Sequence, residues 1–425
     1  VATALRAWSP VAAPPPALPR PQPPAAATQP LPAPRPLAER FPDLRRHFVF
    51  EYYPWYGVDP WRHWDQWERV PPHDLAATAV PKLGAYDSRD AAVLERHAEW
   101  IAESGAGAIN VSWWGPGSDE DRSVHLLMDV MRAHDVKVTF HLEPYADDRA
   151  ARFSDDVAYL VREYGERRGF DALLVLRDED GGEGPVFKGF RTILPERVVD
   201  CRGRVREVPD YTPDDAWRRE TDRVRERFRS AFDHVTLLAD SLHFGRTPAA
   251  GFDGIAIYDN FVAPESYPGH AAGASARGLL FSLNANPGYD AIAPRTVEDE
   301  CFEPPQFLPP TPGLDFATAA GRERAAERAA ERLRESLAAT LAVQQDPLLE
   351  NARRGFLLVY LTSFNEWHEG HAIEPMKDHA ELSAAERLFG YHNPARGDGR
   401  LQALKSALGP VLAGPATRAA RPDRG

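Results

Sequence analysis

The chain has 425 residues with 63 acidic against 50 basic side chains, a formal charge of −13, which excludes the basic face a nucleic-acid backbone requires. Hydrophobic residues at 43% and aromatics at 10%, with ten Trp, are ample for a large core and for rings that stack on sugars. No apolar run approaches the roughly eighteen residues of a membrane span, and Cys201 and Cys301 are too few and too separated for a zinc motif or a disulfide framework, so whether they pair stays open.

Residues 1 to about 40 are dominated by Pro and Ala, a composition that favours extended polyproline conformation and builds no core. We read this stretch as a linker or tail; a spacer holding an exported or surface-tethered enzyme and a plain disordered extension fit equally well. The chain opens at Val1 without Met, which reads as a processed or trimmed start. From about Ala413 the chain is again small and basic, a flexible tail.

Residues 41–412 alternate strand and helix patterns. Strands are expected at Phe48 to Trp55, Ala108 to Trp113, Lys137 to Leu142, Ala172 to Leu176, Val235 to Ala239, Gly254 to Tyr258, Gly278 to Leu283 and Phe356 to Thr362. Helical periodicity falls at Ala91 to Glu103, Val124 to His134, Asp155 to Arg168, Asp214 to Phe232, Arg322 to Val343 and Leu401 to Leu412. Ser88, with Asp90 behind it, is the expected N-cap of the first. The long helix from Arg322 carries Ala325, Ala329, Leu333, Leu337 and Leu341 on one stripe, and its Arg and Glu pairs read as a solvated face. Eight strands alternating with helices make a single α/β domain, a (β/α)8 barrel of TIM type. An open doubly wound sheet fits less well, because strand one ends in YYPWYG and not in a phosphate-binding Gly fingerprint.

Such barrels place their sites at the C-terminal ends of the strands. Strand one delivers Tyr53, Trp55 and Tyr56, with His63 and Trp64 beyond; strand two delivers Trp113 and Trp114, one of which alternation turns into the core. Strand three delivers His141, Glu143 and Tyr145, and Glu143 stands out because an acid before Pro suits neither strand nor helix. Strand six delivers Tyr258, and Tyr289 and Asp290 sit in a tight Pro-Gly loop after strand seven. The last strand runs into SFNEWHEG, placing Asn365, Glu366, Trp367, His368 and Glu369 where such a strand ends. Two carboxylates beside aromatic rings suit a sugar site, one acid protonating a leaving oxygen and the other acting as base or nucleophile. His368 and His371 lie at i and i+3, not the i and i+4 of a helical zinc site, so no metal is expected. Asn110-Val111-Ser112 lies inside a strand, where a glycan has no room.

YYPWYG, LGAYDS, VSWWG, HLEPY, GFDGIAIY, NPGYD and SFNEWHEG, in one order from Tyr52 to Gly370, resemble the glycoside hydrolase family of endo-acting alpha-mannosidases, family 99. The resemblance implies a retaining enzyme without cofactor, acting on alpha-1,2-linked mannosides in an oligosaccharide or polysaccharide. It implies that Glu369 is the general acid and base. It implies that Glu366 acts on the sugar's own 2-hydroxyl, which displaces the leaving group to give a 1,2-anhydro sugar. Glu143 is implied to line the site, and Asp87, in LGAYDS, and Arg295, near NPGYD, to belong with it. The chain departs from the family in PVFKGFRTILPE, where relatives carry a PVFYVYDS-like segment, and in CFEPPQFLPPTPG. These loops would shape the flanking subsites. A double-displacement glycosidase with Glu143 or Glu366 as nucleophile, and a catalytically silent sugar-binding relative, are the alternatives. A monomer is expected.

Overall fold

The computed structural model describes residues 35–146 and 148–414; the expectations placed on residues 1–34 and 415–425 lie outside them. Eight parallel strands form the centre: β1 Phe48–Tyr52, β2 Ala108–Trp113, β3 Lys137–Leu142, β4 Glu183–Gly189, β5 Thr236–Ala239, β6 Gly254–Ala256, β7 Leu280–Ser282 and β8 Val359–Leu361. They pair in chain order, and β8 returns to β1 with Phe48 opposite Val359. A parallel bridge between Ala285 and Leu361 closes the ring, with the Ala285 amide donating to the Tyr360 carbonyl at 2.8 Å. Nearly every strand residue is buried, as expected when helices cover the outside and side chains fill the inside.

The covering helices are α1 Ala91–Ser104, α2 Asp119–Ala133, α3 Arg149–Leu160, α4 Asp214–Phe228, α5 Tyr267–Ser275, α6 Ala319–Gln344 and α7 Gly399–Ala413. Helix α2 starts on Ser118, whose hydroxyl accepts the Asp121 amide, and three acids in its first turn complement the helix dipole. Helix α1 is capped by Asp90, accepting from Ala92, and not by Ser88: the Ser88 hydroxyl instead accepts from the Tyr56 amide. The stripe predicted on α6 is buried, but one of its arginines is not in water. Arg332 is buried and donates to the carbonyls of Asn260 and Val262, pinning the loop after β6. Among the described residues no helix is long and apolar enough to cross a membrane.

Strand four is the main departure from expectation. The run Ala172 to Leu176 only touches β3 through Leu173, then Val175–Arg177 turns back antiparallel on β4. The barrel strand is the following segment, which contains PVFKG, because DEDGG makes a tight hairpin between two apolar runs. The connection from β5 to β6, residues 240–253, is a turn-rich loop without a helix, and α5 begins with Pro at its N-terminus and was masked by Gly and Ala.

Candidate active site

The C-terminal rim of the barrel gathers carboxylates and phenols from five strands. After β8, Glu366 is buried; its Oε1 accepts the His368 amide at 2.9 Å, and its own amide donates to Ser363 Oγ at 2.8 Å. Burial and then the neighbouring Glu369 push the Glu366 carboxyl well above the usual carboxylate range, against the pull of the His368 and Glu369 amides. Glu369 Oε2 lies 2.6 Å from His371 Nε2 and accepts the Tyr258 hydroxyl at 3.0 Å. The Ser363 hydroxyl lies 3.0 Å from His371 Nδ1. Ser363 and His371 thus tie the two acids into one turn.

Gly370 makes that turn possible. Its φ of 67° is left-handed, and a Cβ there would lie 1.9 Å from the Asp290 carbonyl, while the Asp290 amide donates to the Glu369 carbonyl at 3.0 Å. Gly370→Ala must open the contact with the loop after β7 and displace Glu369. The expected result is a loss of about 1–3 kcal/mol in urea unfolding together with a fall in kcat.

Tyr53 follows β1, and its ring meets Trp55 at 4.7 Å; Trp55 stacks on His63 at 4.5 Å and faces His368 at 5.9 Å. The Tyr53 hydroxyl interacts with Tyr258 and lies in the field of Glu51, Glu366 and Glu143; burial first, then these charges, hold it far above the phenol range. Burial also lowers His368 to about 4, so it is a neutral ring whose Nε2 faces the His63 carbonyl at 2.9 Å. From β3, Glu143 accepts the Ser112 hydroxyl at 2.8 Å, and the Trp114 indole donates to the same hydroxyl at 3.1 Å. Burial raises the Glu143 carboxyl, opposed by His141, whose Nδ1 lies 3.9 Å away. Tyr289 packs against Phe261 at 4.7 Å and senses both Glu369 and Glu366.

Other expected site residues are placed in the walls, with their polar atoms already engaged. Trp113 is turned outward between helices and donates to Asp121 at 2.7 Å, so Trp114 is the one of the pair that faces the mouth. Trp64 stacks beneath Tyr56 at 4.1 Å, and the Tyr56 hydroxyl accepts the Trp367 amide at 3.1 Å. Trp367 donates to Glu374 at 3.0 Å, joined there by Tyr86 and His97, a buried platform under the turn that holds Glu366 and Glu369. Asn365 clamps Tyr53, accepting its amide and donating to its carbonyl. Tyr145 donates to Asp156, Asp87 pairs with Arg89, and Asp290 lies 2.8 Å from His392 behind the turn. Arg295 donates to the Glu68 carbonyl and pairs with Asp74. Among the described residues, no group of His, Cys, Asp and Glu is arranged to hold a metal ion.

Sequence reasoning missed the ion pair beneath the site. Glu51 of β1 and Lys188 of β4 meet inside the barrel at 2.6 Å, both wholly buried, and Asn110 donates to the other Glu51 oxygen at 2.8 Å. His141 Nδ1 lies 3.3 Å from that same oxygen. Burial would raise Glu51, but the Lys188 ammonium and His141 bring it down to about 2. The available signal was a charge interrupting each of two apolar runs, FVFEYY and PVFKGF.

A model of glycosyl hydrolase family 99 matches residues 44–173, which include β1 to β3 with Tyr53, Trp55 and Glu143. The chain is 27% identical over 370 residues to the glycoprotein endo-alpha-1,2-mannosidase-like protein of Danio rerio, covering 78% of this chain and 72% of that one. It is 24% identical to the glycoprotein endo-alpha-1,2-mannosidase of Mus musculus, covering 79% and 69%. The solved GH99 endo-alpha-mannosidase from Bacteroides thetaiotaomicron shares the fold, with a TM-score of 0.58 at 20% identity over 87% of this chain and 98% of that one. Residues 44–173 match the family model, the relatives match along most of the chain and the barrel is common: the chain is a glycoside hydrolase similar to glycosyl hydrolase family 99.

Proposed function

We propose that the enzyme cleaves alpha-1,2-linked mannosides within an oligosaccharide or polysaccharide, with retention, through attack by the sugar's own 2-hydroxyl. The observation that carries this reading is the unequal housing of two acids in one turn. Glu366 sits in a dry pocket that raises its proton affinity toward the working pH, which suits a base that must take a hydroxyl proton. Glu369 is more open and is held by Tyr258 and His371, which suits a group that gives a proton to the leaving oxygen and takes one back from water. Tyr53, Trp55, Trp114 and Tyr289 supply the rings and hydroxyls against which pyranose faces pack, and Glu143 faces the same space. The alpha-mannoside class follows the names of the relatives.

In the proposed step, the 2-hydroxyl oxygen bonds to the anomeric carbon as its proton passes to Glu366, and the glycosidic bond breaks as Glu369 protonates the departing oxygen. Water, deprotonated by Glu369, then opens the anhydro ring at the anomeric carbon while Glu366 returns its proton to O2. No ester to protein forms. Intact-protein mass spectrometry after incubation with an activated 2-fluoro mannoside should therefore show unmodified enzyme. A stable adduct on Glu366 or Glu143 would overturn the participation step in favour of double displacement.

A further inference from the structure

The loops that follow β4 and β7 are tied to each other. After β4 the chain forms a hairpin, Arg197–Val199 paired with Val205–Glu207, and Cys201 lies in its turn. Cys301 lies in the loop after β7, and the two cysteines form a disulfide with Cα atoms 5.6 Å apart. The pairing left open by the sequence is thus made, and ion pairs reinforce it. Arg202 and Arg204 both reach Glu300, the latter at 3.1 Å, while Arg204 and Arg206 hold Asp200 at 2.8 Å.

Topology gives the link its meaning. Strands β4 and β7 are not neighbours; β5 and β6 stand between them, so a bond joining their C-terminal loops spans the rim above two strands. The hairpin base is marked by the Val208 amide donating to the Glu196 carbonyl, and five residues of strand from there to Cys201 reach about 17 Å. The other end of the β7 loop is anchored as well. Ile292 and Asp290 donate to the carbonyls of His368 and Glu369, Arg69 donates to the Ala293 carbonyl at 2.9 Å, and Arg295 holds Glu68 and Asp74. One continuous strap therefore runs from the loop after β1, past the catalytic turn, to the loop after β4. The hairpin has no core of its own, with Val199 68% and Val205 65% exposed, and an isolated two-stranded ribbon is marginal in water. Its position depends on the cross-link.

We infer that this disulfide-held strap is a specificity-determining wall of the cleft, bounding it on the side where Tyr258 of the β6 loop meets Glu369, and that glycan units beyond the scissile bond lie against it. The inference rests on the reading that Glu366 and Glu369 cleave a glycan. Its consequence is a preference governed by chain length. With the strap fixed, a long chain finds an ordered wall; with the bond cut, the hairpin must be ordered by the glycan at the cost of affinity.

The test compares wild type, wild type reduced with a phosphine, and the Cys201→Ser/Cys301→Ser variant, with circular dichroism melts confirming that each is folded. The substrates are an aryl glycoside with an activated leaving group and oligosaccharides of two to eight units from alpha-mannans, alpha-glucans and beta-linked glycans. Binding to Glu369→Gln is followed by calorimetry on the same panel. Cutting the strap should lower the ratio of kcat/KM on the longest to that on the shortest substrate about tenfold, through KM. A ratio that stays the same in both severed forms, whether rates are unchanged or fall uniformly, overturns the wall. Cleavage confined to a glycan other than alpha-mannan sinks the proposed substrate class, and the strap is then judged by length dependence on that glycan. Absence of both binding and cleavage across the panel overturns both.

Discussion

Glu369→Gln should lower turnover of an unactivated alpha-mannoside by about 10²–10⁴-fold, the usual contribution of a positioned general acid, and should spare much of the rate on an aryl mannoside with an activated leaving group. The amide keeps the shape of the carboxyl. Its oxygen can still accept from Tyr258, and the amide, with both a donor and an acceptor, can meet His371 Nε2 in either tautomer, so the turn through Ser363 and His371 has no reason to move. What is lost is the ability to give and take a proton at the glycosidic oxygen. A leaving group that is already a weak base needs no such help in the first step, whereas opening of the anhydro ring still calls for a base. Residual turnover of the activated substrate is therefore expected to be limited by that second step. Comparing kcat/KM, which reports bond cleavage, on the two substrates checks this: an equal loss of kcat/KM on both would remove Glu369 from the acid role.

The rim turn that carries Glu366 and Glu369 was legible because chemistry and pattern agreed there. Acids, an amide and a histidine directly after an apolar strand have no stable place in a core, so SFNEWHEG had to be a rim. Strands β2 and β3 were also plain, because each is a six-residue run rich in β-branched and aromatic residues bounded by helices with clear periodicity. Strand four was not, since the hairpin at DEDGG sets two apolar runs side by side and periodicity cannot say which joins the ring. Aromatics gave the weakest signal. Trp113 and Trp114 are adjacent and chemically identical, and only the positions of Asp121 and Ser112 in the fold decide which faces the mouth. Likewise Asn365 and Trp367 carry the polar groups of a binding site but spend them on Tyr53 and Glu374. The disulfide was hidden by a separation of 100 residues, which only the adjacency of the β4 and β7 loops makes short.

Lys188→Met tests the charge that the sequence reading overlooked. In the native barrel the Lys188 ammonium lies 2.6 Å from Glu51 and over the rings of Tyr258 at 5.3 Å and Tyr360 at 4.8 Å, wholly buried. Methionine fills most of the volume but leaves the Glu51 carboxylate buried without its cation, which should cost about 3–5 kcal/mol. Removing both charges in Glu51→Leu/Lys188→Met should recover most of that loss, because a buried pair contributes little over apolar groups of similar volume. The dependence on pH separates this from a packing defect. In the wild type Glu51 is lowered from 4.5 to about 2, so its contribution to stability is fully present above pH 4.5 and is lost as pH falls toward 2. Without Lys188 the dominant effect of burial raises the group instead, and stability should decline as pH rises through its unfolded value. Urea midpoints for both proteins from pH 2 to 8 read that reversal directly. A variant whose loss is small and independent of pH would show that Glu51 does not depend on Lys188 for its charge. A loss that grows with pH while turnover falls in parallel would place the ion pair, through His141 beside Glu143, among the groups that set the charge of the cleft.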